Sequence, residues 1–339
     1  MVDASSQVPP FSPLKLHLPF ADQIDTLQGR NLAIGDETGA LAALQRIGYY
    51  RLVGYWFPLR KPDPNDARVR LDDFQDGATF ELAVALYNFD RTLRLLVLDA
   101  IERIEVAVRV DIAHLLGRRH RLAHECGFLL DARFTSPGRN GKPSQHDEWM
   151  RRFSDGVRRK SKEDFVAHHH QKYGGKMPIW VATETWDFGL LSKFYAGMKY
   201  GDQGKIAKRY AIDAQTLESW LRALNFIRNV CAHHSRLWNR NNPEGLRLPT
   251  MQPHEHLHHL VANDFARRRV YGSLCVIRHL LKHIDARSRW VDRLKDLCNG
   301  FPKSELVALR NGGFPAGWQN LPLWNPQSAE SDASPPRWR

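Results

Sequence analysis

The longest regular pattern in this 339-residue chain is a stripe of apolar residues between positions 79 and 116. Apolar side chains recur there at steps of three or four, which is the period of an α-helix. Its members are Leu82, Leu86, Phe89, Leu93, Leu96, Ala100, Ile104 and Val108. Thr79 precedes the stripe, where a hydroxyl can cap the first turn. We therefore predict one helix over 79–116, and a helix this long normally belongs to a bundle or a two-stranded interface.

Charged residues occupy the remaining surface of this helix in pairs four positions apart. The pairs are Asp90 with Arg94, Asp99 with Arg103, and Glu105 with Arg109. Opposite charges at this spacing are neighbours on a helix and stabilise it weakly. We interpret them as solvated surface pairs. For Glu102, Glu105 and Arg109 a functional interpretation also stays open, in which a glutamate holds a catalytic group in position.

The rest of the chain shows mostly helical patterns and few strand patterns. Helical signals cover residues 36–44, 147–170, 179–188, 190–198, 214–234, 262–283 and 289–297. Residues 47–59 are rich in aromatic and β-branched side chains, which fits either a small hairpin or a second packed helix. The sequence therefore predicts an all-α or nearly all-α fold, a helical bundle with an N-terminal helical or hairpin extension.

The same patterns divide the chain into four regions. Residues 1–20 hold four prolines and are expected to form an irregular arm, followed by an extension over 21–78 that packs on the core. The main helical domain is predicted over 79–300. Residues 301–339 end in Ser-Pro-Pro-Arg-Trp-Arg and are predicted to be an irregular or disordered tail.

The chain is strongly basic. Lys and Arg number 49 against 37 Asp and Glu, which gives a formal net charge of +12 and an isoelectric point near 9.7. The excess is concentrated in short clusters, among them residues 118–121, 151–152, 158–160, 236–240 and 267–269. Such clusters attract phosphate backbones because binding releases condensed counterions. RNA is therefore an expected partner, and solvated helix faces are the alternative interpretation.

Other features exclude several classes of protein. No stretch approaches the roughly 18 apolar residues of a membrane-spanning helix, and the first residues lack the pattern of a secretory signal. The four cysteines lie far apart without a Cys-x-x-Cys pair, which argues against a disulfide framework and a cysteine-built zinc site. We therefore expect a cytoplasmic protein with no membrane association and no metal or other cofactor.

One arginine occupies an unusual position in the predicted helix over 214–234. Arg228 falls inside an apolar stripe formed by Leu217, Trp220, Leu221, Leu224, Ile227 and Cys231. A guanidinium at a core-facing position is costly unless it is paired, hydrogen-bonded or lines a cleft. Two interpretations stay open for it, a functional position or an internal salt bridge to Glu102, Glu105 or Glu184.

Polar groups cluster beside this arginine. His233 stands four positions after Asn229, His234 follows directly, and Arg236 and Arg240 are again four positions apart. An imidazole with a pKa near about 6.5 can take the proton of a ribose 2′-hydroxyl or protonate the leaving 5′-oxygen. Arginine can hold the phosphate and stabilise the charge of the transition state. The set favours metal-independent RNA cleavage, and two copies of the helix facing each other in a dimer would supply both acid and base.

The string Arg228-Asn-Val-Cys-Ala-His233, continued by His-Ser-Arg-Leu-Trp-Asn-Arg240, resembles the Arg-x4–6-His signature of HEPN-domain ribonucleases. More closely, it resembles abortive-infection phage-defence proteins of the AbiD/AbiF type. Residues 48–56, 101–109 and 178–189 fit the pattern of the same family. The resemblance spans residues 20–300 of the chain.

The resemblance implies a helical HEPN core, a homodimer with a composite active site, and endoribonuclease activity without a metal. It also implies a role in phage defence, restrained until infection and in some cases linked to a cognate RNA or antitoxin. By position, Arg228, Asn229 and His233 correspond to the catalytic residues. His234 is a second candidate because a gap of five also fits. On a regular helix both histidines lie more than about 100° from Arg228, so the helix distorts near Ala232 or the side chains meet by reach or across a dimer.

Further residues complete the hypothesis. The predicted supporting residues are Glu102, Glu105 and Arg109. The residues predicted to contact RNA are Arg236, Trp238 and Arg240. The four tryptophans of this region are interpreted as core residues rather than stacking platforms, namely Trp180, Trp186, Trp220 and Trp238. For Trp238, which lies inside the basic row, base stacking stays open as the alternative.

Three functions are weighed against one another. The leading hypothesis is a metal-independent endoribonuclease, and the alternative is a non-catalytic RNA-binding or regulatory module. A third interpretation is an interaction protein that neither binds nor cleaves RNA. Histidine-rich spacing at residues 254–259 and 275–283 is compatible with a metal, but neither segment has the spacing of a known zinc module.

Overall fold

A computed structural model describes residues 16–66, 68–249 and 255–325. About 63% of the chain is helical, and the described ranges contain fourteen α-helices and a single two-stranded sheet. The prediction of an all-α fold is therefore confirmed. None of the helices in these ranges combines the length and the hydropathy that a membrane span requires. Most of the predicted arm, residues 1–15, and the end of the predicted tail, residues 326–339, lie outside the described ranges.

The chain divides into two compact units, residues 1–87 and 88–339. The elements of the first unit are α1 (Phe20–Gln28), α2 (Glu37–Ile47), α3 (Tyr49–Trp56), β1 (Arg60–Pro62) and β2 (Arg70–Phe74). The two strands form an antiparallel hairpin. Asp36 caps α2 by accepting a hydrogen bond from the Gly39 N–H at 2.9 Å. Most of residues 47–59, where the sequence leaves a hairpin and a helix open, are thus helical, and the hairpin follows them.

Helix α4 (Phe80–Gly117) is 38 residues long and contributes residues to both units. Its bounds agree with the predicted helix over 79–116. The Thr79 hydroxyl accepts a hydrogen bond from the Leu82 N–H at 3.0 Å, which is the predicted cap. The apolar stripe from Leu86 to Val108 is buried. Periodicity alone was therefore sufficient to identify this helix and its buried face.

The second unit contains ten further helices in the described ranges. They are α5 (Ala132–Thr135), α6 (Gln145–Arg159), α7 (Asp164–Tyr173), α8 (Ile179–Ala182), α9 (Phe188–Ala196), α10 (Tyr200–Arg209), α11 (Ala214–Ala232), α12 (Asp264–Arg268), α13 (Val270–Ile284) and α14 (Trp290–Asn299). Helix α11 packs against α9, α10 and α13, and α6 packs against α9. This arrangement brings α6, α9 and α11 side by side.

Each of these three helices begins at a side-chain cap. Ser144 accepts a hydrogen bond from the N–H of the third residue of α6 at 3.0 Å. Asp187 does the same for α9 at 2.7 Å, and Asp213 for α11 at 2.9 Å. An N-cap of this kind satisfies one of the free N–H groups at a helix start and typically contributes about 1 kcal/mol. Local sequence therefore sets where each helix of the group starts.

The pair Asp90 and Arg94, predicted to be a solvated surface pair, is buried. The two residues are 0% and 4% exposed and form an ion pair. The Asp90 carboxylate also accepts hydrogen bonds from the N–H groups of Leu237, at 3.1 Å, and Trp238, at 2.7 Å. The prediction was wrong because charge spacing does not reveal which side of α4 is covered by the segment after α11. Asp90 thereby holds the backbone that follows the two histidines.

The segment over 301–325 is packed although it contains no α-helix. Trp318 and Trp324 are buried, and their ring centroids lie 5.0 Å apart. Both contact Tyr271 of α13, and the Trp324 indole N–H donates to the Tyr271 hydroxyl at 3.0 Å. These residues therefore belong to the core of the second unit rather than to a disordered tail.

We predict that Asp90→Ala lowers the free energy of unfolding by about 3–5 kcal/mol, because it leaves the Arg94 guanidinium buried without this partner. The matched control is Asp99→Ala on the same helix, whose pair with Arg103 is about one third exposed. A pair of that exposure is worth about 1 kcal/mol or less. Urea denaturation of both variants tests the difference, and equal losses would show that Asp90 has no special structural role.

Candidate functional site

Residues 228–240, which carry the Arg-x4–6-His pattern, are called the signature segment below. The segment begins on α11, whose apolar face is buried as the helical spacing predicts. Leu217, Trp220, Leu221, Leu224, Ile227 and Cys231 are all buried. Arg228 is half-buried at the edge of this face. It forms no salt bridge with a carboxylate in the described ranges, so the internal salt bridge that the sequence left open is not formed there. The remaining interpretation is a guanidinium that lines a cleft.

Helix α11 ends at Ala232, two residues before the predicted end at His234. The His234 N–H donates to the Cys231 carbonyl at 3.0 Å, and the Ser235 N–H donates to the Val230 carbonyl at 2.9 Å. These two bonds define a Schellman motif, in which the residue after the C-cap adopts a left-handed conformation. His234 occupies that position with φ of +56°. The helix distortion that the sequence left open near Ala232 is therefore the end of the helix itself.

The helix end exposes both imidazoles. His233 is the C-cap residue with φ of −88° and ψ of 11°, and its side chain is exposed, as is that of His234. His233 and His234 have opposite signs of φ. The angle around the helix axis that was predicted between Arg228 and His234 on a continuous helix therefore does not apply. Glycine is the usual residue at the left-handed position because it has no Cβ, and histidine there is uncommon.

Arg228 and Asn229 open into a groove between α9 and α11 with a volume of about 420 Å³. Its cationic lining residues are Arg152, Lys193, Arg222 and Arg228, and its acidic ones are Asp187, Glu218 and Glu244. Arg222 pairs with Glu244 at 2.9 Å. The Arg228 guanidinium lies 3.5 Å from the Asn229 side-chain oxygen. His233 and His234, although described, do not line this groove.

Glu105, which is paired with Arg109, is within electrostatic range of Arg228. Glu105 is largely buried and forms an ion pair with Arg109, which also donates to the backbone carbonyl of Trp186. Burial raises the pKa of Glu105, and the positive charges of Arg109 and Arg228 oppose this shift. One of the predicted supporting glutamates is thus close enough to Arg228 to interact with it electrostatically. Glu102, by contrast, is exposed.

The predicted RNA-contacting residues do not form the expected row. Residues 235–240 are not helical, so Arg236 and Arg240 are not stacked on one helix face. The Arg240 guanidinium lies over the Phe226 ring at 5.7 Å from its centroid. Trp238 is 1% exposed and packs against Phe301, so its ring has no free face for a base. This burial agrees with the interpretation of Trp238 as a core residue and contradicts the stacking alternative, because the Asp90 carboxylate binds the backbone of Leu237 and Trp238.

Two groove residues were missed by sequence reasoning. Arg152 has only the basic cluster at 151–152 as a signal, and Lys193 has none. Both reach the groove because α6 and α9 pack beside α11. No group of three or more His, Cys, Asp or Glu side chains in the described ranges is arranged to hold a metal ion. Taken together, the groove offers a guanidinium, an amide and two further cations to an anionic ligand.

We predict that His234→Gly leaves the free energy of unfolding unchanged or raises it by up to about 1 kcal/mol, because glycine removes the Cβ strain of the left-handed position. His234→Val should lower it by about 1 kcal/mol or more, since a β-branched residue is strained there. Ala232→Gly, two residues earlier and still in the helix, is the control and should lower it by about 0.5–1 kcal/mol. Thermal unfolding of the three variants gives the comparison, and a clear loss in His234→Gly would mean that ring contacts outweigh backbone strain.

Comparison with known proteins identifies the family of this chain. No curated protein matches the chain, and no solved structure does. A family model described as Abi-like protein matches residues 42–239, a range that runs from α2 past the two histidines of the signature segment. The match covers more than half of the 339 residues. The chain therefore belongs to the Abi-like protein family.

Proposed function

We propose that this protein is a metal-independent endoribonuclease of the HEPN type that acts in the cytoplasm in abortive infection. The family supports a role in phage defence. The observation that carries the chemical proposal is the arrangement at the end of α11. Arg228 and Asn229 open into a groove with further cations, and the same helix ends directly in two exposed imidazoles.

The proposed reaction is an internal transfer at one phosphodiester of RNA. The His233 imidazole takes the proton of the ribose 2′-hydroxyl, and the 2′-oxygen attacks the adjacent phosphorus. The bond from phosphorus to the 5′-oxygen breaks, and a protonated imidazole supplies the proton of the leaving hydroxyl. Arg228 holds the phosphate and offsets the charge that grows on its oxygens. The products are a 2′,3′-cyclic phosphate and a 5′-hydroxyl, and no metal takes part.

The remaining residues act through these groups. Glu105 and Arg109 are positioning residues, since their ion pair and the bond to the Trp186 carbonyl fix the surroundings of Arg228. Asn229 orients the guanidinium or binds a phosphate oxygen. His234 occupies the left-handed position after the helix cap and is the second candidate for the catalytic histidine. Arg236 and Arg240 contribute positive charge for RNA beside the histidines.

The site is proposed to be completed by a second copy of the chain. Within one copy the two histidines do not line the groove of Arg228 and Asn229. A homodimer in which α11 faces its counterpart would place the histidines of one subunit at the arginine of the other. Such a composite site would supply one imidazole as base and another as acid.

A non-catalytic RNA-binding or regulatory module is the second candidate. The same separation of histidines and groove favours it, because a groove that binds phosphate without a nearby base would bind RNA and leave it intact. A cognate structured RNA or an antitoxin that restrains the protein would be a partner in either case. RNA ends distinguish the two candidates, since only an enzyme produces new ones.

We predict that the wild-type chain in EDTA cuts labelled RNA and leaves 2′,3′-cyclic phosphate ends. Arg228→Ala and His233→Ala should each reduce the rate by at least about 100-fold, because each removes a group that acts in the transition state. His234→Gly removes the imidazole of the second candidate at a position whose backbone suits glycine, so it distinguishes the two histidines: it should keep most of the activity if His233 is the catalytic one and lose it if His234 is. A folded Arg228→Ala protein that cuts RNA at the wild-type rate would refute the assignment.

Mixing two inactive variants tests the composite site. If arginine and histidine come from different subunits, a heterodimer of Arg228→Ala and His233→Ala contains one site with both residues intact. Co-expressed or refolded mixtures should then recover a measurable fraction of the wild-type cleavage rate, whereas each variant alone stays inactive. A mixture that remains inactive although heterodimers form would contradict a site that pairs the arginine of one subunit with a single His233 of the other.

A further inference from the structure

Trp180 on α8 is a half-exposed aromatic residue. The sequence suggests a core residue, but its side chain is 52% exposed, whereas Trp186 and Trp220 are buried. Its indole lies on the last turn of α4, where Gly117 leaves room for it. A Cβ at Gly117 would stand only 3.1 Å from Cε3 of the indole. The ring is therefore held by the backbone on one side and is open to solvent on another.

An open pocket of about 430 Å³ adjoins this indole. Its walls are formed by Val110, Ala113, His114, Gly117, Arg118, Trp180, Thr183 and Glu184. The aliphatic and indole surfaces suit the faces of a planar aromatic ring. Hydrogen-bonding groups at the margin, on His114, Thr183 and Glu184, suit a ring whose edge carries donors and acceptors. A nucleobase has both properties.

The surroundings of the pocket favour an anionic polymer. Arg118 and Arg121 follow the end of α4 and are exposed, whereas Arg119 between them is paired with Asp202 at 2.6 Å. The Arg121 carbonyl accepts the Ile179 N–H at 2.7 Å, which fixes the start of α8 beside this basic run. Exposed arginines next to an aromatic ring are the combination that binds single-stranded nucleic acid.

The pocket connects to the Arg228 site through Lys160. The Lys160 ammonium donates to the backbone carbonyl of Glu184, which lines the pocket, at 3.1 Å. The charge of Lys160 also acts on Glu105, as do those of Arg109 and Arg228. Lys160 is therefore within hydrogen-bond distance of one wall of the pocket and within electrostatic range of Glu105, and it offers a cation to an RNA phosphate beside the pocket.

We propose that Trp180 is a base-stacking platform for single-stranded RNA next to the cleavage site. This inference rests on the proposed RNA substrate and deepens it, because it assigns unpaired rather than duplex RNA. A base inside a duplex presents no free face, whereas an unpaired base can stack on the indole.

A second copy of this chain is the other occupant to consider, since Val106 and Val110 are exposed on the adjoining face of α4. In a two-fold symmetric contact centred on this pocket, the Arg118 and Arg121 cluster would be near its own counterpart. Like charges brought together in this way oppose association. The charge at the pocket therefore favours RNA over a subunit contact.

The test uses the full chain and a short single-stranded 2′-O-methyl RNA of mixed sequence, which cannot be cleaved. Trp180→Ala should weaken binding by about 5- to 150-fold, the range found when a stacking aromatic is removed. Trp180→Phe should keep most of the affinity, because it keeps a ring. The matched control is Tyr173→Ala, which removes an aromatic side chain of similar exposure, 50%, that does not line the pocket. Binding of double-stranded RNA should not depend on Trp180.

A second measurement identifies which base of the RNA stacks on the indole. Abasic positions are introduced one at a time into the same RNA, and each is measured with the wild-type chain and with Trp180→Ala. At the stacked position, removing the base should weaken RNA binding to the wild-type chain. Removing the same base should have little further effect on binding to Trp180→Ala, since both changes remove the same contact. This cycle does not depend on whether Trp180→Ala alters stability.

The outcomes separate this inference from the cleavage proposal. Loss of binding in Trp180→Ala with no cleavage by the wild-type chain would support the platform and overturn the ribonuclease. Equal binding by Trp180→Ala and Tyr173→Ala would overturn the platform, whatever the chain does to RNA. A change of sedimentation in Trp180→Ala without a change in RNA binding would assign this face to a subunit contact instead.

Discussion

The buried carboxylate of Asp90 organises the region on which the proposed function depends. It forms an ion pair with Arg94 on its own helix and accepts hydrogen bonds from the backbone of Leu237 and Trp238. A carboxylate removed from water is stable only when charges and donors surround it. The chain after α11 must therefore return to α4 at this point. As a result the two histidines lie in a short connection that is fixed at both ends, by α11 on one side and by Asp90 on the other.

The end of α11 gives this connection its shape. A Schellman motif turns the chain at His234, so the helix stops while the guanidinium of Arg228 remains on its last regular turns. The arginine then contributes to the groove beside α9, and the imidazoles are exposed beyond the helix. This separation has a consequence for the proposed mechanism, because phosphate binding at the groove and proton transfer at the imidazoles would be supplied by two surfaces rather than by one pocket. The proposed second subunit would join these surfaces, and the stacking role proposed for Trp180 concerns the same RNA substrate.

Parts of the fold and of the site were predictable from local patterns. The stripe on α4, its cap at Thr79 and the buried face of α11 depend on residues three or four apart, and all three are found as predicted. Arg228 could be recognised from the sequence because it is a charged residue within the apolar stripe of α11. Trp180 was misassigned to the core, and for Trp238 only the stacking alternative was wrong. Trp238 is held in the core by the bond from its backbone to the distant Asp90 carboxylate, whereas the indole of Trp180 lies on the surface of α4 where Gly117 has no side chain.

By itself the sequence determined the helices, their caps, the basic charge and the string of Arg, Asn and His that marks the family. Only the tertiary structure decided which charged pair is buried, which arginines share the groove with Arg228, and which tryptophan is open to solvent. The physical reason is the separation along the sequence between the residues that interact. Helical hydrogen bonds and side-chain neighbours on a helix involve residues a few positions apart, whereas the contact between Asp90 and Leu237 spans 147 positions. Burial of a polar group depends on which distant segment covers it, and no local pattern contains that information.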